Sequence, residues 1–386
     1  MHNYRELYQP SNTLIGAGAI NRIPHYVRRM HCQKALVVSD EGLVKIGTVG
    51  KVLSVLDNSN AEYVLFTDVK PNPTIAIVNA GYKIALEHNC DYVIGIGGGS
   101  PLDVAKAIGI LMTNGGDIRD YEGINQSSKR GLPIIAVNTT AGTGSEVTRD
   151  YVITDEEKKV KMLMVDYHCI ASLAIDDPQL MTEMPPGLTA ATGMDALTHA
   201  IEAYVCKSHF PYSDGLALEA IRLVSTSLEK AVFNGNDLSA RTDMCWAEYM
   251  AGLAFSNAGL GLVHAMAHQL GGFYNMPHGV ANAILLPYVM EFNASDCKER
   301  FSAIASVLGV NTSNMTCDQA AYEAIHFIKK LSNIIGIPTL KKLGFRPEDA
   351  LTLAINATND ASIADNPKEA SIPDIKAIFI KAYENV

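Results

Sequence analysis

The chain has 386 residues, of which 48% are apolar and 19% are charged, and its formal net charge is −10. This length exceeds one ordinary hydrophobic core and favours two domains, while the apolar content excludes a largely disordered chain. The acidic balance and the absence of any run of Lys and Arg argue against a nucleic-acid partner.

The sequence predicts neither a membrane span nor a secretory signal. Its apolar runs fall short of the roughly 18 residues that a span requires, and Asn282 and Pro287 interrupt the run 280–290. Residues 1–10 are polar and aromatic, unlike the apolar centre of a signal peptide. The seven cysteines are scattered and form no Cys-x-x-Cys motif, which is typical of reduced thiols. We therefore expect a cytoplasmic protein that binds no membrane.

The first half of the chain predicts alternating strands and helices. Strand-like runs of β-branched residues occupy 34–39, 62–66, 91–96, 134–138, 160–165 and 171–175. Between the second and third runs, Ile75, Val78, Tyr82, Ala85 and Leu86 recur at the spacing of one helix face. This alternation is typical of a parallel sheet with helices on both sides.

A glycine-rich turn follows the strand at 91–96. Residues 97–103 read Gly-Gly-Gly-Ser-Pro-Leu-Asp, and we expect Ser100 as the N-cap of a helix, Pro101 at its first position and Asp103 completing a capping box. The glycines let the backbone approach a ligand, and a helix N-terminus suits a pyrophosphate. The turn therefore predicts a phosphate-binding loop; the alternative is a strand-to-helix turn that only needs glycines.

The order of this loop and its acidic partner is unusual. Ser100 stands where the common G-x-G-x-x-G motif has its third glycine. The common motif also places a ribose-binding acid about 20 residues after the loop, whereas the best candidate here is Asp40, which precedes it. A carboxylate at Asp40 would accept hydrogen bonds from a ribose and repel a 2′-phosphate, which favours NAD over NADP. The alternative is a strand-end turn residue.

A second loop, residues 139–145, follows the strand at 134–138 and reads Thr-Thr-Ala-Gly-Thr-Gly-Ser. Ligands bind beyond the carboxyl ends of parallel strands. We therefore expect this loop and the glycine-rich loop to face the same crevice.

The pattern changes at Pro185-Pro186-Gly187, beyond which strand-like runs stop. Helical stretches cover 188–205, 213–233, 240–257 and 260–273, and further helices are predicted from 318 to 386. We place a domain boundary near residue 184, with an α/β domain over 1–184 and a helical domain over 185–386.

The helical half carries a cluster of metal-binding side chains. Asp195 and His199 are four residues apart, as are His264 and His268, so each pair shares one helix face. One carboxylate and three imidazoles, from Asp195, His199, His264 and His278, suit Fe(II), Zn(II), Mn(II) or Co(II). Any single histidine could instead be a core residue. Their clustering among small residues favours a metal site with coordination positions open to substrate.

Four long stretches resemble the iron-containing (group III) alcohol dehydrogenases. They are GGGSPLD at 97–103, NTTAGTGSE at 138–146, TAATGMDALTHAIE at 189–202, and GLVHAMAHQLG at 261–271 continuing to PHGV at 277–280. The resemblance extends from about Tyr8 to the C-terminus. It implies an N-terminal Rossmann-like α/β domain, an all-α C-terminal domain and an active site in the interdomain cleft.

The resemblance also implies roles for individual residues. Asp195, His199, His264 and His278 match metal ligands, and His268 matches a histidine close to the nicotinamide and the substrate. Family members are often dimers or larger assemblies, so we expect a homodimer or a larger homo-oligomer. The positions that match nucleotide contacts are Asp40, Asn72, Gly98, Gly99, Ser100, Thr139, Thr140, Lys161 and Leu180.

The expected function is therefore NAD-dependent oxidation of a small primary alcohol or diol, or reduction of the corresponding aldehyde, with Fe(II) or alternatively Zn(II). Within the family the resemblance is nearest to lactaldehyde reductases and 1,3-propanediol dehydrogenases, which suggests 1,2-propanediol or lactaldehyde, 1,3-propanediol, ethanol or butanol as substrate. His268 is expected to relay a proton. The alternative is a glycerol dehydrogenase-like or dehydroquinate synthase-like metal enzyme of the same architecture.

Three positions depart from the pattern of these relatives. Asp150 and Ser362 stand where lactaldehyde reductases have Asn and Cys near the substrate, and Tyr288 stands where close relatives have His. An additional carboxylate at Asp150 could change which polar aldehyde is accepted, so the sequence leaves the physiological substrate open.

Overall fold

A computed structural model describes residues 4–158 and 160–384. The chain divides between Glu183 and Met184 into two compact units. The N-terminal unit contains the strands and the first five α-helices, and the C-terminal unit contains the remaining helices.

The elements are bounded as follows. The strands are β1 (Thr13–Ile15), β2 (Lys34–Val38), β3 (Glu62–Phe66), β4 (Tyr92–Gly97), β5 (Gly123–Ile124), β6 (Ile134–Asn138), β7 (Asp150–Asp155), β8 (Val160–Val165) and β9 (Leu173–Asp176). The helices of the N-terminal unit are α1 (Ile23–Met30), α2 (Glu41–Lys45), α3 (Thr48–Asp57), α4 (Ile75–Glu87) and α5 (Gly99–Asn114). Those of the C-terminal unit are α6 (Pro186–Val205), α7 (Pro211–Phe233), α8 (Leu238–Ala258), α9 (Leu262–Tyr274), α10 (His278–Asn293), α11 (Lys298–Val307), α12 (Cys317–Ile334), α13 (Ala350–Ala357) and α14 (Ile372–Glu384).

Six strands of the N-terminal unit form one parallel sheet in the order β1-β9-β6-β4-β2-β3. From β2 the chain continues to β3 on one side and then returns to β4 on the other, so the strand order reverses between β2 and β4. In open α/β sheets, ligands bind beyond the carboxyl ends of the strands at such a switch point. Asp40 follows β2 and the glycine-rich loop follows β4, so both flank this point.

Alternating residues of the central strands fill a core on each face of this sheet. Leu36 and Val38 of β2 pack into one buried cluster, whereas Ala35 and Val37 pack into the other. Because side chains alternate along a strand, a strand buried on both faces reads as a continuous apolar run. The predicted parallel sheet is therefore confirmed, and its apolar strands are explained by burial on both faces.

A second, smaller sheet has the order β5-β8-β7, and β7 runs antiparallel to β8. The run at 160–165 is thus a strand, as predicted, but it lies outside the parallel sheet. Its partner β7 was not predicted. The turn after β7 is held by the buried carboxylate of Asp155, which accepts hydrogen bonds from Arg119 Nε at 2.7 Å and from the backbone N–H groups of Glu157 and Lys158.

The expected start of α5 is corrected by the structure. The helix begins at Gly99 with Gly98 as N-cap, and no side chain caps it. Gly97 has a φ of 154°, a conformation that favours glycine, so the chain turns into the helix before Ser100. Asp103 forms no capping box; its carboxylate instead accepts hydrogen bonds from Ser145 Oγ and Val152 N.

The C-terminal unit is helical, as predicted. Helix α6 is buried on nearly all sides from Thr189 to Val205 and packs against α7, α8 and α10. A helix that is apolar around its whole circumference must lie inside the unit. The polar side chains of α6 are therefore enclosed, and each needs a partner.

In the described part of the chain, no single helix has the length and apolar character of a membrane span. Helices α8 and α9 satisfy this test only when taken together, and they are bent by 103° relative to each other.

Candidate metal centre and nucleotide loops

The four proposed metal ligands converge within the C-terminal unit. Asp195 and His199 lie on one face of α6, His264 lies on α9, and His278 is the first residue of α10. One donor atom from each side chain lies within 4.8 Å of the donor atoms of the other three. The structure therefore brings together a carboxylate and three imidazoles that are separated by up to 83 residues in sequence.

Small residues allow the helices to approach this closely. A Cβ atom added to Gly279 would lie 2.3 Å from the backbone oxygen of Ala191, so the first turn of α10 contacts the backbone of α6 directly. His278 immediately precedes this contact. The glycine therefore sets the distance between the His278 and Asp195 side chains, whose Nε2 and Oδ1 atoms are 3.6 Å apart.

Asn282 shows that the lone pairs of these ligands point at a common position. Its Nδ2 lies 2.7 Å from Asp195 Oδ1 and 3.1 Å from the Nε2 atoms of both His264 and His278. An amide NH₂ group has only two hydrogens for these three acceptors, and the buried Asn282 Oδ1 has no hydrogen-bond partner among the described residues. Three lone pairs that converge on one point suit a metal cation better than an amide NH₂ group. The residues therefore fit a divalent metal.

The electrostatics of the site point the same way. Burial, with a smaller contribution from nearby His268, holds the pKa of His264 well below its ordinary value, so its imidazole is neutral. Burial raises the pKa of Asp195, while His199 and the hydrogen bond from Asn282 lower it. A neutral imidazole and a buried carboxylate are what a metal requires of its ligands.

Glu202 was not assigned a role from sequence. It lies three residues after His199 on α6, and its Oε2 is 2.5 Å from Nδ1 of His264. Burial raises the pKa of Glu202 to about 8, against the lowering effect of backbone N–H groups of Val263, Gly261 and His264. A single acid in the apolar stretch 200–205 was the available signal.

His268 lies beside the four proposed metal ligands. Its ring stacks on that of His278 with centroids 5.5 Å apart, and its side chain retains 33% exposure. Its Nδ1 is 2.8 Å from Oδ2 of Asp360, a contact that spans 92 residues and that sequence spacing did not reveal. Burial raises the pKa of Asp360 and the hydrogen bond from His268 lowers it, with a net downward shift.

The two glycine-rich loops of the N-terminal unit touch each other. Strands β4 and β6 are neighbours, and Thr139 N donates to Gly97 O across their carboxyl ends. A Cβ atom on Gly98 would lie 2.8 Å from Thr140 Oγ1, and one on Gly99 would lie 3.3 Å from Thr143 Cγ2. Glycine is therefore needed for the close approach of the loops, and the expected convergence of the two loops is confirmed.

The remaining nucleotide candidates occupy different environments. Asp40 is the N-cap of α2, with Oδ1 accepting a hydrogen bond from Leu43 N at 2.9 Å. Lys161 Nζ donates to Asn72 Oδ1 at 2.8 Å. Leu180 is 2% exposed and belongs to the apolar core of the N-terminal unit. Asp40 therefore does have the structural role that was considered as the alternative, at the end of a strand and the start of a helix. The cap uses Oδ1, so Oδ2 could still accept a hydrogen bond from a ribose.

A buried lysine that the sequence did not single out supports these loops. Lys106 of α5 is 1% exposed, and its Nζ donates to Ser145 Oγ, Thr148 Oγ1 and the backbone oxygen of Asp150 at 3.0, 3.3 and 2.7 Å. The first turns of α5 are thereby tied to the loop that follows β6. Lysine is seldom fully buried unless it is paired. The partners of Lys106 lie about 40 residues later in the chain, so the sequence alone did not reveal them.

The positions that depart from the relatives are also placed. Asp150 begins β7. Ser362 N donates to Oδ1 of Asp360, the residue that holds His268. Tyr288 lies on α10, with Lys329 Nζ 5.0 Å from the centre of its ring.

Comparison with known proteins agrees with this geometry. The sequence pattern described as "Iron-containing alcohol dehydrogenase" matches residues 10–178, and "Fe-containing alcohol dehydrogenase family, C-terminal" matches residues 189–383. Alcohol dehydrogenase 4 of Saccharomyces cerevisiae is 46% identical over all of both chains. Lactaldehyde reductase of Escherichia coli is 44% identical over 95% of this chain and 97% of its own.

Solved structures give the same result. A 1,3-propanediol oxidoreductase superposes with a TM-score of 0.97 at 44% identity, covering 99% of this chain and 100% of its own. A sulfoacetaldehyde reductase from Bifidobacterium kashiwanohense, solved in complex with NAD⁺, superposes with a TM-score of 0.89 at 31% identity over both full chains. The chain belongs to the iron-containing alcohol dehydrogenase family.

Proposed function

We propose that Asp195, His199, His264 and His278 hold a divalent metal, Fe(II) in the first instance with Zn(II) as the alternative, and that this metal serves an NAD-dependent alcohol dehydrogenase reaction. The observation that supports this most strongly is the convergence of their donor atoms within 4.8 Å. Such a metal acts as a Lewis acid toward an alcohol or carbonyl oxygen.

The chain's own residues supply the remaining chemistry. His268 lies against His278, and Asp360 holds its Nδ1, which leaves Nε2 to take a proton during alcohol oxidation and to return one during aldehyde reduction. The partial exposure of His268 provides a route from this nitrogen to solvent.

The region 1–184 is proposed as the dinucleotide-binding domain, and 185–386 as the metal-binding domain. The contacting loops at Gly98–Gly99–Ser100 and Thr139–Thr140 would hold the pyrophosphate, and Asp40 would accept hydrogen bonds from the ribose. Asn72, Lys161 and Leu180 complete the proposed nucleotide contacts.

We further propose small primary alcohols or diols as substrates, since lactaldehyde reductase and 1,3-propanediol oxidoreductase are among the similar proteins. A homodimer or larger homo-oligomer is proposed from family membership. The seven cysteines, all described and none in a disulfide, support a cytoplasmic location.

A substrate screen tests this proposal. Metal-stripped protein reloaded anaerobically with Fe(II) is offered NAD with 1,2-propanediol, 1,3-propanediol, ethanol or butanol. We expect NADH to accumulate in proportion to the alcohol oxidised. A dehydroquinate synthase-like lyase, which uses NAD only transiently, would give no net NADH. Metal-loaded protein that oxidises none of the four alcohols would contradict the proposed substrate class.

A further inference from the structure

The carboxylate of Glu202 joins two parts of the metal centre. It projects from α6, the helix that carries Asp195 and His199, and contacts His264 on α9. Its Oε1 also accepts a hydrogen bond from the backbone N–H of Val263 at 2.7 Å. One side chain thus binds both the ring of a proposed ligand and the backbone of the helix that carries it.

The start of α9 is built around this carboxylate. Gly261 is the N-cap of α9, and a Cβ atom there would lie 2.9 Å from Glu202 Oε1 and 3.0 Å from Asn366 Oδ1. The same Asn366 oxygen accepts the N–H of Leu262. Glu202 and Asn366 together therefore satisfy N–H groups that a helix N-terminus otherwise leaves unpaired.

The contact with Glu202 determines which nitrogen of His264 can bind a metal. Nε2 of His264 faces the amide NH₂ group of Asn282, so this nitrogen accepts a hydrogen bond and the imidazole proton lies on Nδ1. That proton points at Oε2 of Glu202, whose other oxygen accepts the backbone N–H of Val263. The lone pair is then on Nε2, the atom that faces Asn282 and the other ligands. We propose that Glu202 is a positioning residue that fixes the tautomer and orientation of His264 and thereby sets the metal affinity of the site.

This inference rests on the proposed metal function, and the chain contains a matched control for it. His268 lies one turn after His264 on the same helix, and its Nδ1 also contacts a carboxylate, that of Asp360. His268 is not a proposed ligand. The two carboxylate–histidine pairs therefore have the same chemistry on the same helix, and only one of them acts on the metal.

The test compares Glu202→Gln with Asp360→Asn. In Glu202→Gln the amide oxygen can still accept the Val263 N–H, but the amide NH₂ group then faces Nδ1 of His264 and forces the imidazole proton onto Nε2. Metal-stripped proteins are titrated with Co(II), followed by its visible absorption, and with Zn(II), followed by calorimetry. We expect Glu202→Gln to weaken both affinities about 10–100-fold, whereas Asp360→Asn leaves them close to wild type. Glu202→Asp, which keeps the acceptor, should bind more tightly than Glu202→Gln.

The outcomes separate this inference from the function on which it rests. If the wild-type protein binds neither metal, the proposed metal centre is wrong. If it binds and Glu202→Gln binds equally tightly, or Glu202→Asp binds no better than Glu202→Gln, the role of Glu202 is wrong. Should Glu202→Gln fail to fold, ¹⁵N spectra of metal-free wild-type protein labelled at histidine decide: a proton on Nδ1 of His264 is expected, and a proton on Nε2 overturns the inference.

Discussion

His264 and His268 lie one turn apart on α9, yet their surroundings assign them different tasks. His264 is 1% exposed and faces the other proposed ligands, whereas the His268 side chain is 33% exposed and lies outside that set. A buried neutral imidazole suits metal binding, and a partly exposed one suits proton exchange with solvent. Burial alone does not assign these tasks, because the proposed ligand His278 is 39% exposed; the difference is that the donor atom of His264 converges with those of the other proposed ligands and that of His268 does not.

Substitution of His268 by Ala tests the relay. We expect kcat to fall by about 10²–10⁴-fold, the usual contribution of a general acid–base group, and the pH dependence of kcat to flatten. Metal content should stay at the wild-type level, because His268 is not one of the four proposed ligands. Steady-state kinetics from pH 6 to 10, with metal analysis of the same samples, provide the measurement. An unchanged pH profile would show that His268 only supports the metal site.

Asp40 is where cofactor choice can be tested without disturbing the fold. Asn is as good an N-cap as Asp, so Asp40→Asn keeps the hydrogen bond from Leu43 N and removes only the charge. Because a carboxylate would repel the 2′-phosphate of NADP, we expect the ratio of kcat/KM for NAD over NADP to fall about tenfold or more. An unchanged ratio would mean that Asp40 is only a cap.

At the scale of helices, the proposed metal centre depends on the close contact between α6 and α10. Gly279 makes this contact, and it thereby positions His278 and Asn282. His278 is the first residue of α10, and Asn282 lies one turn after it. The backbone of α6 leaves no room for a side chain at this point. The spacing of the helices, and not only the identity of the ligands, therefore determines the geometry of the site.

Gly279→Ala is expected to push α10 away from α6. The added methyl group would overlap the Ala191 backbone oxygen, which should lower the free energy of unfolding by about 1–3 kcal/mol and weaken metal binding. Gly187→Ala is the matched control, because Gly187 is exposed on α6 and a Cβ there meets no atom within 4 Å. That variant should be neutral or more stable by up to about 1 kcal/mol. Urea unfolding and Co(II) titration measure both effects, and equal behaviour of the two variants would contradict this role of Gly279.

At the scale of the whole molecule, periodicity and motif spacing predicted much of the fold. The strands at 62–66, 134–138 and 160–165 have the predicted bounds, because short runs rich in apolar residues and bounded by turns are local signals. Strand β1 is only three residues long, and β7 has only three consecutive apolar residues, with an aspartate at each end of the strand. Neither carries a strong local signal, and their pairing depends on distant partners.

For the candidate site, too, the sequence indicated the residues with a local spacing pattern and missed those that depend on distant contacts. The proposed ligands Asp195 and His199 share a helix face, so their spacing in sequence indicates them. Glu202 and Asp360 reach His264 and His268 across 62 and 92 residues, and nothing in local sequence predicts a contact of that kind. Asn282 was visible only as a polar interruption of an apolar run. The residues that hold the ligands in place therefore needed three-dimensional coordinates.

The central claim, that Asp195, His199, His264 and His278 hold the metal on which the reaction depends, is tested most directly by removing and restoring it. The wild-type protein and His264→Ala are stripped by a chelator, reloaded anaerobically with Fe(II), and assayed for NADH formation from 1,2-propanediol. We predict that wild-type activity disappears with the metal and returns with it, while His264→Ala regains neither metal nor activity. NADH formation at an undiminished rate by metal-free protein would contradict the claim.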